Sequence, residues 1–250
     1  MSDNSDVRTI VVTGGTGPLG RVVVDRLRSQ GHDVRVVSRH SPTWPIDLRN
    51  GIGLPAALEG ADAVVHCAST PTGGDADSAR HLVSAAAAVG VRHLVHISIV
   101  GVDAVPLGYY RTKLAAERLI EESGVGWTIL RATQFHNLVA RLFQLSARVP
   151  LLMLVPSFRF QPVDIRDVAA RLAELAVGDP VGRATDLGGP EVRTAVDLAH
   201  SYLRARGLKR RVVPLRLPGK MFGAYQRGGN LVPEHADGKI TFDEFLAPDK

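Results

Sequence analysis

Between residues 13 and 20 the chain reads Thr13-Gly14-Gly15-Thr16-Gly17-Pro18-Leu19-Gly20, a G-x-x-G-x-x-G spacing on glycines 14, 17 and 20. A short β-branched run, Thr9 to Val12, precedes it, and apolar residues with helical spacing (Leu19, Val22, Val23, Leu27) follow. In a strand–turn–helix setting each glycine has its own task. Gly14 makes a tight turn, Gly17 lets backbone approach a ligand, and Gly20 lets the helix pack closely on the sheet. Pro18 suits the first helical position, where no N–H is needed. The ligand for such a loop is a pyrophosphate, set against the free N–H groups and positive dipole end of the helix. A mononucleotide phosphate loop is the rival, but Gly15 to Gly20 is followed by Arg21 where that motif demands Lys and then Ser or Thr. The pattern predicts a dinucleotide held through Gly14, Thr16, Gly17, Pro18, Leu19 and Gly20.

The end of the second expected strand, Val36-Val37-Ser38-Arg39, decides which dinucleotide. It offers no carboxylate for a ribose 2′-hydroxyl. Arg39, next to Ser38, has paired N–H donors suited to a 2′-phosphate. NADP(H) is therefore expected over NAD(H), the alternative being an exposed arginine that merely replaces the acid. After the fifth expected strand come Gln134, Phe135 and His136, where open α/β sheets place ligand crevices. His136 suits a proton donor or substrate contact, and equally a satisfied structural ring. The apolar Leu151 to Val155 reads either as a lid over a hydrophobic substrate or as a buried packing segment.

Strand and helix patterns alternate from residue 8 onward, the signature of a parallel sheet covered on both faces. Strands are expected at 9–12, 34–37, 63–66, 93–97 and 127–130, with helices at 19–30, 76–89 and 114–122 closed by glycines 31, 90 and 124. Beyond Arg131 the pattern loosens. Helices are expected at 138–147 and 164–177, the latter opened by Asp164 with Asp167 in the manner of a capping box. Thr194-x-x-Asp197 and Thr241-x-x-Glu244 give the same start signal for two more. The fold class is α/β: one domain over 1–250, a Rossmann-type doubly wound parallel sheet at about 7–150, and a small C-terminal substrate-side appendage at about 151–250.

Two hundred and fifty residues with 45% hydrophobic and 22% charged content bury a full core, which rules out wholesale disorder and a collagen-like fibre. Cys67 is the only cysteine, which excludes an internal disulfide and a cysteine-built zinc site. His32, His66, His81, His93, His96, His200 and His235 show no metal-ligand spacing, so no metal is expected. The start MSDNSDVR has no apolar stretch of secretory type, and no apolar run is long enough for a membrane span. A cytoplasmic location is expected. Charge is uneven: residues 198–233 carry eight basic groups and no acid, against a net charge of +5 for the chain. That segment is either a solvated face or a surface for an anionic partner. No nucleic-acid-binding module accompanies it, and none is expected to bind.

These features resemble the atypical short-chain dehydrogenase/reductases of the NmrA-like, NAD(P)H-binding branch. The likeness rests on the glycine loop, VVHCAS (64–69), HISIVGVD, YYRTKLAAE, WTILRATQFHN, FQPVDIRDVA and LGGPEVRT, and covers about residues 8–200. It implies that Asp47 contacts the adenine amine and that Ala68 and Ser69 lie beside the riboses. It also implies a reaction centre Tyr-x-x-x-Lys, matched by Tyr109 and Lys113. One helical turn puts both on the same face, so the lysine can hold the nicotinamide ribose and assist the phenol as a proton donor. The departure is Val100, which stands where extended relatives carry the working hydroxyl; Ser98 is two positions earlier. The expectation is an NADPH-dependent oxidoreductase of a small apolar carbonyl, enone or quinone. The alternative is a non-catalytic NADP(H)-sensing regulator that binds a protein partner.

Overall fold

The computed structural model describes residues 7–69, 73–148, 151–216 and 218–247. In chain order these form β1 (Thr9–Thr13), α1 (Pro18–Ser29), β2 (Asp33–Ser38), β3 (Trp44–Pro45), α2 (Leu54–Leu58), β4 (Ala63–His66), α3 (Asp75–Ala88), β5 (His93–Ile99), α4 (Gly108–Glu121) and β6 (Trp127–Ala132). There follow α5 (His136–Ser146), β7 (Leu152–Pro156), β8 (Arg159–Phe160), α6 (Ile165–Val177), β9 (Gly182–Arg183), β10 (Arg193–Thr194), α7 (Ala195–Ala205), β11 (Arg211–Leu215), α8 (Lys220–Gln226) and α9 (Phe242–Leu246). The chain divides into two compact units. The first holds residues up to 98 with 108–131 and 168–185; the second holds 99–107, 132–167 and 186–250.

The first unit carries a seven-stranded sheet in the order β3-β2-β1-β4-β5-β6-β9. β1 pairs with β2 and β4, β2 with β3, β4 with β5, and β6 with β9, all parallel. Strand order reverses at β1, between β2 and β4, which is where such sheets open a ligand crevice at the strand ends. The central strands are largely apolar because both faces are covered. Ile10, Val11 and Val12 are wholly buried, as are Ala63, Val64 and Val65. At about 1.5–3 kcal/mol for each buried aliphatic side chain, this central layer anchors the loops that leave its carboxyl edge.

The second unit has a separate core in which Val139 and Phe143 of α5, Met153 and Val155 of β7, Leu198, Tyr202 and Leu203 of α7 and Phe242 of α9 pack together. Two expectations need correcting here. Leu151 to Val155 is a packing segment on one face only: Leu152–Pro156 forms β7, parallel to β11, with Met153 and Val155 in the core and Leu152 and Leu154 outward. Asp167 does not close a capping box. Its carboxylate accepts from the backbone N–H groups of Lys239 and Ile240, while Asp164 alone caps the helix by accepting from Arg166 N–H at 2.8 Å. Thr194 caps α7, and Thr241 with Glu244 forms a full capping box on α9.

Candidate active site

The loop after β1 shows why its glycines are glycines. Gly14 has φ +66°, and a Cβ there would stand 2.7 Å from the backbone of Ala68 in the loop after β4. A Cβ at Gly20 would overlap the Gly14 carbonyl oxygen, and one at Gly17 would crowd it at 3.1 Å. Gly17 is the residue before the first turn of α1 and offers no side-chain cap; Pro18 follows. The N–H groups of Leu19 and Gly20 therefore have no partner within the helix. This narrow cradle of backbone donors fits a pyrophosphate. Thr16 Oγ1 donates to Ser38 Oγ at 2.9 Å, tying the loop to the end of β2, where Arg39 is exposed. Asp47 lies in the loop beyond β3, paired with Arg49 at 2.8 Å; that hydrogen bond holds its carboxyl at about 2.

Beside the cradle runs a hydrogen-bonded series. Ser69 Oγ donates to Asp75 Oδ2 at 2.8 Å and lies 2.7 Å from Tyr109 Oη. The serine has one proton, and a carboxylate only accepts, so the phenol donates to Ser69. Asp75 Oδ2 is also 3.4 Å from Lys113 Nζ, which donates to the Ile97 carbonyl at 3.2 Å. Both charged side chains are at least nine-tenths buried. A buried ammonium needs an opposite charge, and Asp75 supplies it from the first turn of α3, where the helix dipole favours an anion. Tyr109 and Lys113 thus share a face of α4, as expected. The helix extends N-terminally of Leu114 to Gly108, and contacts with α3 and with Ser69 in the loop after β4 hold its first turns. Neither Asp75 nor the Ser69–Tyr109 contact was foreseen. They come from segments about 40 residues apart, and only an acidic residue opening a helix hinted at them.

Behind this series His66 and His96 stack at 4.9 Å, with His66 Nδ1 2.7 Å from Thr13 Oγ1. Burial first, then the charge of Lys113, pushes His66 down to about 3 and His96 well below its usual range. Ser98 is buried beside Glu117. Glu117 binds Arg131 at 2.7 Å, and these bonds outweigh burial to lower its carboxyl. Among the described residues no cluster of three metal-ligating side chains exists.

The residues expected on the substrate side belong to the second unit. Gln134 is buried and exchanges hydrogen bonds with Asn230. His136 is wholly buried, donates from Nε2 to the Ile240 carbonyl at 2.9 Å, and packs against Phe242 and Phe245. Burial lowers its pKa, only partly offset by that carbonyl. Phe135 is half-buried.

A parallel sheet reversing at β1, with a glycine cradle at that reversal, defines a dinucleotide-binding α/β protein. The chain belongs to the NAD(P)H-binding family, whose model matches residues 14–148. It is 32% identical over 212 residues to (4-alkanoyl-5-oxo-2,5-dihydrofuran-3-yl)methyl phosphate reductase of Streptomyces griseus, covering 79% of this chain and 74% of the relative. An uncharacterised Mycobacterium tuberculosis protein is 30% identical over 225 residues, or 84% of this chain, which spans 24% of that relative's length. The fold matches the NADPH-dependent quinone oxidoreductase of Escherichia coli solved with NADPH, with a TM-score of 0.78 at 20% identity, covering 95% of this chain and 98% of the other. The protein is thus an NAD(P)H-binding protein with oxidoreductases among its relatives, and no helix among the described residues is long and apolar enough to cross a membrane.

Proposed function

We propose that the protein is an NADPH-dependent reductase of a small, largely apolar carbonyl, enone or quinone. The observation that supports this most is the series Tyr109–Ser69–Asp75–Lys113 set beside the glycine cradle. The bound dinucleotide supplies the hydride. Lys113, with bonds to Ile97 and Asp75, keeps one of its three N–H donors for the nicotinamide ribose. Tyr109 turns its proton from Ser69 to the substrate oxygen, and Ser69 then turns from Asp75 to stabilise the phenolate. Arg39 holds the 2′-phosphate and so favours NADP(H), while Asp47 and Ala68 line the adenosine end. Gln134 and His136 are committed to holding backbone. The names of the Streptomyces reductase and the Escherichia coli quinone oxidoreductase are in keeping with this reaction class.

The test is NADPH oxidation across a panel of quinones, enones and small ketones. Wild type should turn over at least one, and Tyr109→Phe should lower kcat by roughly 100- to 10,000-fold with NADPH affinity kept. Tight NADPH binding with no turnover would favour the sensing alternative. Turnover unchanged in Tyr109→Phe would remove the phenol from the mechanism.

A further inference from the structure

Six of the nine large apolar side chains exposed among the described residues are leucines within one stretch: Leu138, Leu142, Leu145, Leu151, Leu152 and Leu154. Scattered exposed leucines need no explanation, but a cluster in one stretch does. β7 turns Leu152 and Leu154 outward, and register with β11 sets Arg211 beside Leu152 and Val213 beside Leu154 on the same face. On α5, Val139 and Phe143 face the core, and Ser146 Oγ donates to the Leu154 carbonyl at 2.6 Å. At ~100° per residue, Leu138, Leu142 and Leu145 lie just beyond Ser146, turned away from the core. The leucine stripe of the helix therefore continues the outward face of the strand pair.

The segments that supply this face carry charge of one sign. Residues 136–148, 151–160 and 198–216 contain nine Lys and Arg and no Asp or Glu. Arg204, Lys209, Arg210 and Arg211 line a groove of about 650 Å³ at the start of β11, and Arg141 stands next to Leu142 on α5. A second copy of the chain on this face would set like charges against each other, and a nucleic acid would leave the leucines without a partner. Exposed leucines with a border of arginine and lysine match a surface that lies on a bilayer, apolar tips among the acyl chains and cations at the phosphates. We infer that this face of the second unit docks peripherally on anionic lipid membranes. The inference stands on this face alone and does not depend on the reductase reading.

Flotation of the full chain with phospholipid vesicles tests it. The protein should float with vesicles of phosphatidylcholine plus phosphatidylglycerol, should stay behind with phosphatidylcholine alone, and should be released by high salt. Lys209→Glu/Arg211→Glu should reduce partitioning roughly tenfold or more. Leu142→Glu/Leu152→Glu, both at exposed positions, should do the same while circular dichroism and the melting temperature stay those of the wild type. Failure to float with anionic vesicles would overturn the inference, as would equal flotation with neutral ones. Undiminished binding by the leucine variant would also overturn it, leaving only a general polyanion surface.

Discussion

The two units bury polar groups to different ends. In the first, buried polar side chains pair with one another as charges: Lys113 with Asp75, and Arg131 with Glu117. In the second they mostly hold backbone. Gln161 spans the Gly189 and Val232 carbonyls, Thr133 donates to the Gln161 carbonyl at 2.5 Å, and His136 donates to Ile240. Paired buried charges are costly to build and seldom serve stability alone. Neutral side chains that satisfy loop carbonyls explain how a segment with little regular structure stays ordered. The contrast teaches where to look for chemistry. The first unit keeps reactive groups inside, and the second keeps its distinctive chemistry on its outer surface.

The largest effect should come from breaking the charge pair. Lys113→Met leaves Asp75 buried without its counter-charge and should destabilise the protein by about 3–5 kcal/mol, read from urea unfolding. His136→Phe, which removes a single bond to a carbonyl in the second unit, should cost about 1–3 kcal/mol. Equal costs for the two variants would dissolve the contrast between the units.

Acid should act through the buried histidines, His66 among them. His66 has a depressed pKa in the folded state, about 3 against 6.5, so the unfolded chain binds the extra proton first. Its contribution is complete well above pH 6.5 and is lost as pH falls through 6.5 toward 3. Between pH 6.5 and 4.5 it should account for about 2 kcal/mol of lost stability, with His96 acting in the same direction. His66→Gln should flatten that slope, and an unchanged slope would place the acid sensitivity elsewhere. The smallest expected effect is on cofactor choice. Arg39→Ala should weaken NADPH by roughly tenfold and leave NADH as it was, since an exposed arginine contributes on the order of one charge-assisted contact.

What the sequence displayed was local. The glycine loop, the five central strands and the Thr194 and Thr241 helix starts each fit within a few residues, and each is found where its spacing places it. What it hid was non-local. Ser69, Asp75 and Tyr109 meet only after β4, α3 and α4 have packed, and no spacing rule links them. β11 contains Pro214 and follows a run of basic residues, so it reads as a loop until β7 gives it a partner. Asp167 offered a capping box at sequence level, but two backbone N–H groups from residues 239 and 240 took its carboxylate. His136 was legible as a histidine at a strand end, reactive or structural, and the ring is a buried one held by Ile240, Phe242 and Phe245 from far along the chain.

The central claim is that the glycine cradle holds a phosphorylated dinucleotide, and calorimetric titration with NADPH, NADP, NADH and NAD tests it most directly. Wild type should bind the two phosphorylated forms more tightly than the other two. Gly20→Ala, whose new Cβ would overlap the Gly14 carbonyl, should bind none of them. Absence of heat with all four cofactors, or a Gly20→Ala variant that binds as wild type does, would contradict the account.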